Sequence, residues 1–251
     1  MNNELSGVAE RGSQKWVQHL VNGANEQLDR AIAGSLTVPL KQPIEWLSPL
    51  RGAGYAEYRD TAFLECLGLS HHAEALRGFW PLSGPRWDAL GRAGNTYFLV
   101  EAKANIPELI SDCQAGATHS REMIAAAMRC TQQWLGARPR IDWLTGFYQY
   151  ANRLAHLYFM REIAKEDAYM VFLYILNDPT HISTSRVEWQ GALELQKLLL
   201  GLGGRPYRNY VISVFLDAAG IGSVSNNDSH PVNQPFRSTN AKAAITEERQ
   251  L

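Results

Sequence analysis

The segment 85-PRWDALGRAGNTYFLVEAKA-104 decides how the chain folds. Tyr97-Phe98-Leu99-Val100 is an uncharged run of β-formers suited to the inside of a sheet. Residues 91–95 read as the turn that joins it to an earlier strand at 86–90. The second strand, 96–104, then carries Glu101 and Lys103, where a buried strand tolerates neither. Side chains alternate along a strand, so Glu101 and Lys103 share one face and Ala102 takes the other. Pairing through the turn brings Asp88 within one to three residues of the position opposite Glu101. Two carboxylates and an ammonium therefore converge on one patch of sheet.

An unpaired buried charge costs several kcal/mol, and a divalent cation changes that balance. Mg²⁺ (or Mn²⁺) takes oxygen ligands, one or two carboxylates together with water and substrate phosphate. Asp88 and Glu101 supply the carboxylates, and the Ala102 carbonyl a further oxygen. Lys103 is then placed to orient and help deprotonate an attacking water, or to stabilise charge building on phosphorus.

Asp88 followed by Glu101-x-Lys103 on the next strand resembles the active-site signature of the PD-(D/E)XK nuclease superfamily. The resemblance implies a restriction-endonuclease-like αβββαβ core and a metal-dependent phosphodiesterase. Asp88 and Glu101 would be its metal-binding acids, and Lys103 its catalytic lysine. Members also carry a Glu on a helix before the hairpin. The expected helix at 55–67 offers Glu57 and Glu65; Glu57 is preferred because it precedes the apolar Phe63, Leu64 and Leu67 that would seat the helix. Trp87, not a proline, precedes Asp88, and alternation predicts that its ring points away from the acidic face. The implied partner is nucleic acid, DNA in the first place, with a homodimer left open. The alternatives are a catalytically inactive nuclease-fold module binding nucleic acid or protein, and an unrelated α/β enzyme acting on a small phosphorylated ligand.

A second polar set lies in the helix expected over 143–165, where Gln149, Asn152, Arg153 and His156 fall on one stripe. As a cleft wall it would set Arg153 against a backbone phosphate and Gln149 and Asn152 against sugar, base edge or a metal-bound water. Tyr148 or Tyr150 would offer a stacking face to an unpaired base. The same stripe also fits an ordinary solvent face. The polar residues Ser111, Gln114, Thr118, His119, Ser120 and Arg121 suit helix capping or a phosphate at a helix start.

Outward from this centre, helices are expected at 13–33, 120–135 and 187–200, and strands at 168–177 and 210–216. The Gly-rich 201–204 lacks the Lys-Ser/Thr of a phosphate loop and reads as a helix cap. The class is α/β, with a central mixed sheet flanked by helices. Residues 1–217 form one domain with the 13–33 helix as an addition, and 218–251 a small, polar, flexible tail.

A formal net charge of −1 gives no global pull towards polyanions, so any such surface is local. Three cysteines at wide spacing suit a reducing cytoplasm rather than a disulfide framework. The pair His71-His72 has no neighbouring metal-binding motif and reads as a polar loop. The longest apolar run, 168–176, is about half a membrane span, and the N-terminus carries no signal-peptide core, so no membrane partner is expected.

Overall fold

The computed structural model describes residues 7–23 and 25–222. Their order is α1 (Gly12–Asn22), α2 (Asn25–Ser35), β1 (Glu45–Ser48), α3 (Thr61–Cys66), α4 (Ala73–Phe79), β2 (Ala89–Ala93), β3 (Thr96–Lys103), α5 (Thr118–Leu135), α6 (Tyr148–Tyr158), β4 (Asp167–Leu176), α7 (Arg186–Leu200), α8 (Arg205–Tyr210), β5 (Val211–Asp217) and α9 (Ala218–Gly222). The fold is α/β, and one five-stranded mixed sheet runs in the order β1-β2-β3-β4-β5. The first three strands pair antiparallel, and the last two add in parallel. A parallel neighbour needs a crossover, which α5–α6 and α7–α8 supply.

The apolar run of β4 is explained by burial on both faces. Met170, Phe172 and Tyr174 join a core roofed by α3 to α8, while Val171, Leu173 and Ile175 join a second core under α1, α2 and α9. On β3, Tyr97 and Leu99 face the first core, and Phe98, Val100 and Ala102 the second. Alternation thus sends Glu101 and Lys103 towards α6. The hairpin closes through a two-residue turn, Gly94-Asn95, with Gly94 at φ 63°, a conformation glycine adopts without strain.

Several expectations are corrected. The helix over 13–33 is two helices, α1 ending at Gly23. An αβββαβ order is met with α1–α2 leading, β1-β2-β3, α5–α6 and β4; α3 and α4 lie between β1 and β2 rather than ahead of the first strand. No helix covers 55–60: the Tyr58 carbonyl accepts from Trp87 N at 3.0 Å, so this stretch pairs with the approach to β2. Helix α6 begins at Tyr148, five residues later than expected, because 143–147 is tied down by tertiary bonds. Trp143 Nε1 donates to the Leu200 carbonyl, and Gly146 N to Asp112. Tyr210 ends a short helix, α8, before β5 starts. The expected tail begins as α9, with Ala218 and Ile221 buried, and residues 223–251 lie outside the described range. Gly201 does cap α7, at φ 69°. No described helix is long and apolar enough to cross a membrane.

Candidate active site

The β2–β3 register pairs Ala89 with Val100, so one further step sets Asp88 opposite Glu101. Asp88 stands at a bend just before β2, and its Oδ2 accepts the Ala102 amide at 2.7 Å. Glu101 is 3% exposed. Its Oε1 accepts from Lys103 Nζ at 2.5 Å, and its Oε2 from Arg153 Nε at 2.7 Å, with Arg153 Nη2 2.6 Å away. Lys103 also donates to Gln149 Oε1 at 3.2 Å. Asp88, Glu101 and Lys103 are therefore brought together, as the sequence implied.

The charges in this group shift one another. Burial opposes ionisation of Glu101, but Arg153 and then Lys103 hold its pKa below the ordinary carboxylate value. Burial works against the Lys103 ammonium too, yet Glu101 and Asp88 keep it protonated, its pKa raised. At Asp88, burial and then the charge of Glu101 outweigh the pull of Lys103 and of the Ala102 amide, and push its pKa up to about 8. The residue as a whole is half-buried.

Glu57 joins the group, though from an extended segment and not from the expected helix. It is 7% exposed, and its Oε1 accepts from Gln14 Nε2 of α1 at 2.9 Å. Burial raises its pKa, while Gln14, Arg86 and Arg153 pull it back. Among the described residues, Glu57, Asp88 and Glu101 do not gather their oxygens within 4.8 Å of one another. Asp88 and Glu101 are carboxylates of the kind a hard cation takes, but Glu101 already has both oxygens bonded, and what Ala102 presents to Asp88 is its amide N–H, a donor.

Three of the four residues of the α6 stripe lie inside the fold rather than on a solvent face. Asn152, Arg153 and His156 are all buried. Arg153 was expected on a phosphate, but its guanidinium is consumed within the fold. Besides Glu101, it donates to Asn152 Oδ1 at 2.7 Å and to the Arg86 carbonyl at 2.9 Å. Asn152 is thereby withdrawn from substrate as well. Trp87 lies on the acidic side, against expectation, with the Arg153 guanidinium 5.2 Å from its ring centre. The bend at Asp88 breaks the alternation, and Trp87 packs on Phe63 and His156. His156 sits among Phe63, Trp80 and Trp87, and burial lowers its pKa to about 3. Gln149 remains exposed at the mouth of the site and Tyr148 half-buried beside it. Tyr150 is stacked on Phe172 in the core and offers no face to a base. Ser111 Oγ accepts from Gln149 N at 2.9 Å, so this part of the polar segment does capping work.

Sequence reasoning missed two members. Gln14 carried no signal, since its contact with Glu57 spans 43 positions. Gln196, on α7, is fully buried, and neither amide atom has a hydrogen-bond partner among the described residues. It lines a small cavity of about 10 Å³ with Glu101, Lys103, Gln149 and Tyr174, room for about one water. Its heptad-like setting in EWQGALELQKLLL reads as ordinary helix surface. Family models, characterised proteins and solved structures contain no match to this chain.

Proposed function

We propose that the protein is a metal-dependent nuclease that hydrolyses phosphodiester bonds, DNA in the first place, at the Asp88–Glu101–Lys103 group. The observation that carries this reading is the placing of Asp88 opposite Glu101 across the β2–β3 register, where burial and the charge of Glu101 raise its pKa to about 8. Such a group is costly to ionise alone and gains most from a bound cation. Asp88 and Glu101, with the Ala102 carbonyl, would hold Mg²⁺ or Mn²⁺, which when bound supplies Lewis acidity at the phosphodiester. Lys103, held protonated, suits charge stabilisation and proton donation rather than removal of a proton from water. Gln149, exposed beside the site, accepts a hydrogen bond from the Lys103 ammonium and helps hold it in place. Arg153 positions Glu101. The likeness to the PD-(D/E)XK signature supports the same reading.

The test is nicking of plasmid DNA with Mg²⁺ or Mn²⁺, and with EDTA. Metal-dependent cleavage by the parent and none by Lys103→Met or Asp88→Asn is the expected result. Cleavage by both variants at the parental rate overturns the site. A second reading, the inactive nuclease-fold module, has its own observation: both Glu101 oxygens are already held by Lys103 and Arg153. It predicts that DNA or a protein binds without cleavage and without metal.

A further inference from the structure

We infer that His71, His72 and Glu166 form a second metal site, for one borderline transition-metal ion of the Zn²⁺ class, at the opposite end of the sheet. His72 Nε2 lies 3.0 Å from Glu166 Oε1, and His71 Nε2 lies 4.0 Å from the same oxygen. One ligand atom from each of the three lies within 4.8 Å of the others, the one such group of three or more among the described residues. Ligands at ~2.0–2.1 Å from a tetrahedral ion stand about 3.3 Å apart, so His72 and Glu166 are already near that spacing. His71 is the outlier, and its side chain is 64% exposed, free to turn the remaining fraction of an ångström. The two rings lie 4.0 Å apart, centre to centre, tilted by 44°, and the Nε2 of each is the atom near Glu166 Oε1.

The backbone fixes this arrangement from two distant segments. His71 and His72 sit on a 3-10 turn, Ser70–His72, closed by His72 N donating to Leu69 O at 3.0 Å. Glu166 follows a π-helical turn, Phe159–Ile163, and Lys165 at φ 62°, a left-handed conformation uncommon for lysine. Glu166 N donates to Met160 O at 2.9 Å, which fixes the backbone from which its side chain starts. Neighbouring charges are turned elsewhere: Lys165 pairs with Glu162, and Arg161 with Asp167. Among the described residues, the ion pairs to the Glu166 carboxylate come from the two imidazoles, with Tyr97 near enough to feel its charge.

Donor chemistry selects the ion. Two imidazole nitrogens and one carboxylate suit Zn²⁺, Co²⁺ or Ni²⁺, whereas Mg²⁺ prefers oxygen alone. With His71 at the surface, a fourth position opens to water. The site is independent of Asp88 and Glu101. Glu101 pairs with Phe172, six residues along the chain from Glu166, so roughly 20 Å of strand separates the two sites. The ion would clip the turn before α4 to the entry of β4.

The experiment titrates untagged, metal-stripped full-length protein with Co²⁺, followed by visible absorption and calorimetry, with a thermal-unfolding scan on Zn²⁺ addition. One equivalent of Co²⁺ with the intense spectrum of a four-coordinate ion, and a rise in Tm with Zn²⁺, are expected. Affinity should fall by at least the ~10–100-fold that losing even an outer partner costs in His72→Ala and in Glu166→Gln. Asp88→Asn should bind Co²⁺ at this site unchanged. No binding by the parent, or equal binding by parent, His72→Ala and Glu166→Gln, overturns the site.

Discussion

Arg153 brings two N–H groups to a single oxygen of Glu101, Nε at 2.7 Å and Nη2 at 2.6 Å, while Lys103 holds the other oxygen. The pair is almost sealed from water, the two side chains being 7% and 4% exposed. Breaking such a pair from one side leaves a buried charge and costs about 3–5 kcal/mol. Arg153→Met should lower the urea midpoint accordingly, and the Glu101→Gln/Arg153→Met double variant should recover part of the loss. If Arg153→Met unfolds like the parent but binds DNA with a shallower salt dependence, Arg153 contacts phosphate after all.

Metal uptake should depend on pH through Asp88. Its pKa in the folded protein is about 8, so at neutral pH a cation must displace a proton. Apparent Mn²⁺ affinity should climb about tenfold per pH unit from 6 to near 8, then level off. Calorimetry at three pH values reads this directly. A flat profile in the parent would mean that Asp88 is not a ligand.

Stability of the metal-free protein should also bend with pH, in two opposed senses. Asp88 is raised from 3.8, so its contribution is whole below that value and is lost as pH rises to about 8. His156 is lowered from 6.5, so its contribution is whole above 6.5 and is lost as pH falls to about 3. Between 3.8 and 6.5 the two slopes oppose one another. Asp88→Asn removes one of them, and should then lose stability steadily from pH 6.5 downwards in denaturant melts. A variant whose stability is flat over that range would place His156 in a solvated setting.

Gln196→Leu should stabilise the fold. It replaces two buried, unpartnered amide atoms with an apolar side chain, a gain of about 1–3 kcal/mol. An unchanged or lower unfolding midpoint would mean that an internal water already satisfies the amide. Loss of nicking alongside a higher midpoint would give Gln196 a part in shaping the Lys103 side of the site.

The hairpin and its acids were legible because they are local. Alternation and a Gly-containing turn set the β2–β3 register, and Asp88 and Glu101 followed from it. Strand β4 was legible because burial on both faces leaves an uninterrupted apolar run. What escaped depends on contacts far apart in the chain. Glu57 was recognised as a member but placed on a helix, since nothing local reveals that Tyr58 pairs with Trp87. The α6 stripe was polar enough to suggest a cleft wall, yet whether Arg153 meets phosphate or Glu101 depends on a partner 52 positions away. His71 and His72 looked like loop because Glu166 arrives from 94 positions further on.

Because Lys103 and Arg153 neutralise Glu101 from inside the protein, the fold would stand without the ion proposed for this site. Chelated preparations should keep their native shape, and adding Mg²⁺ would start turnover in molecules already assembled. Control over this activity would then rest with ion supply and acidity rather than with protein maturation.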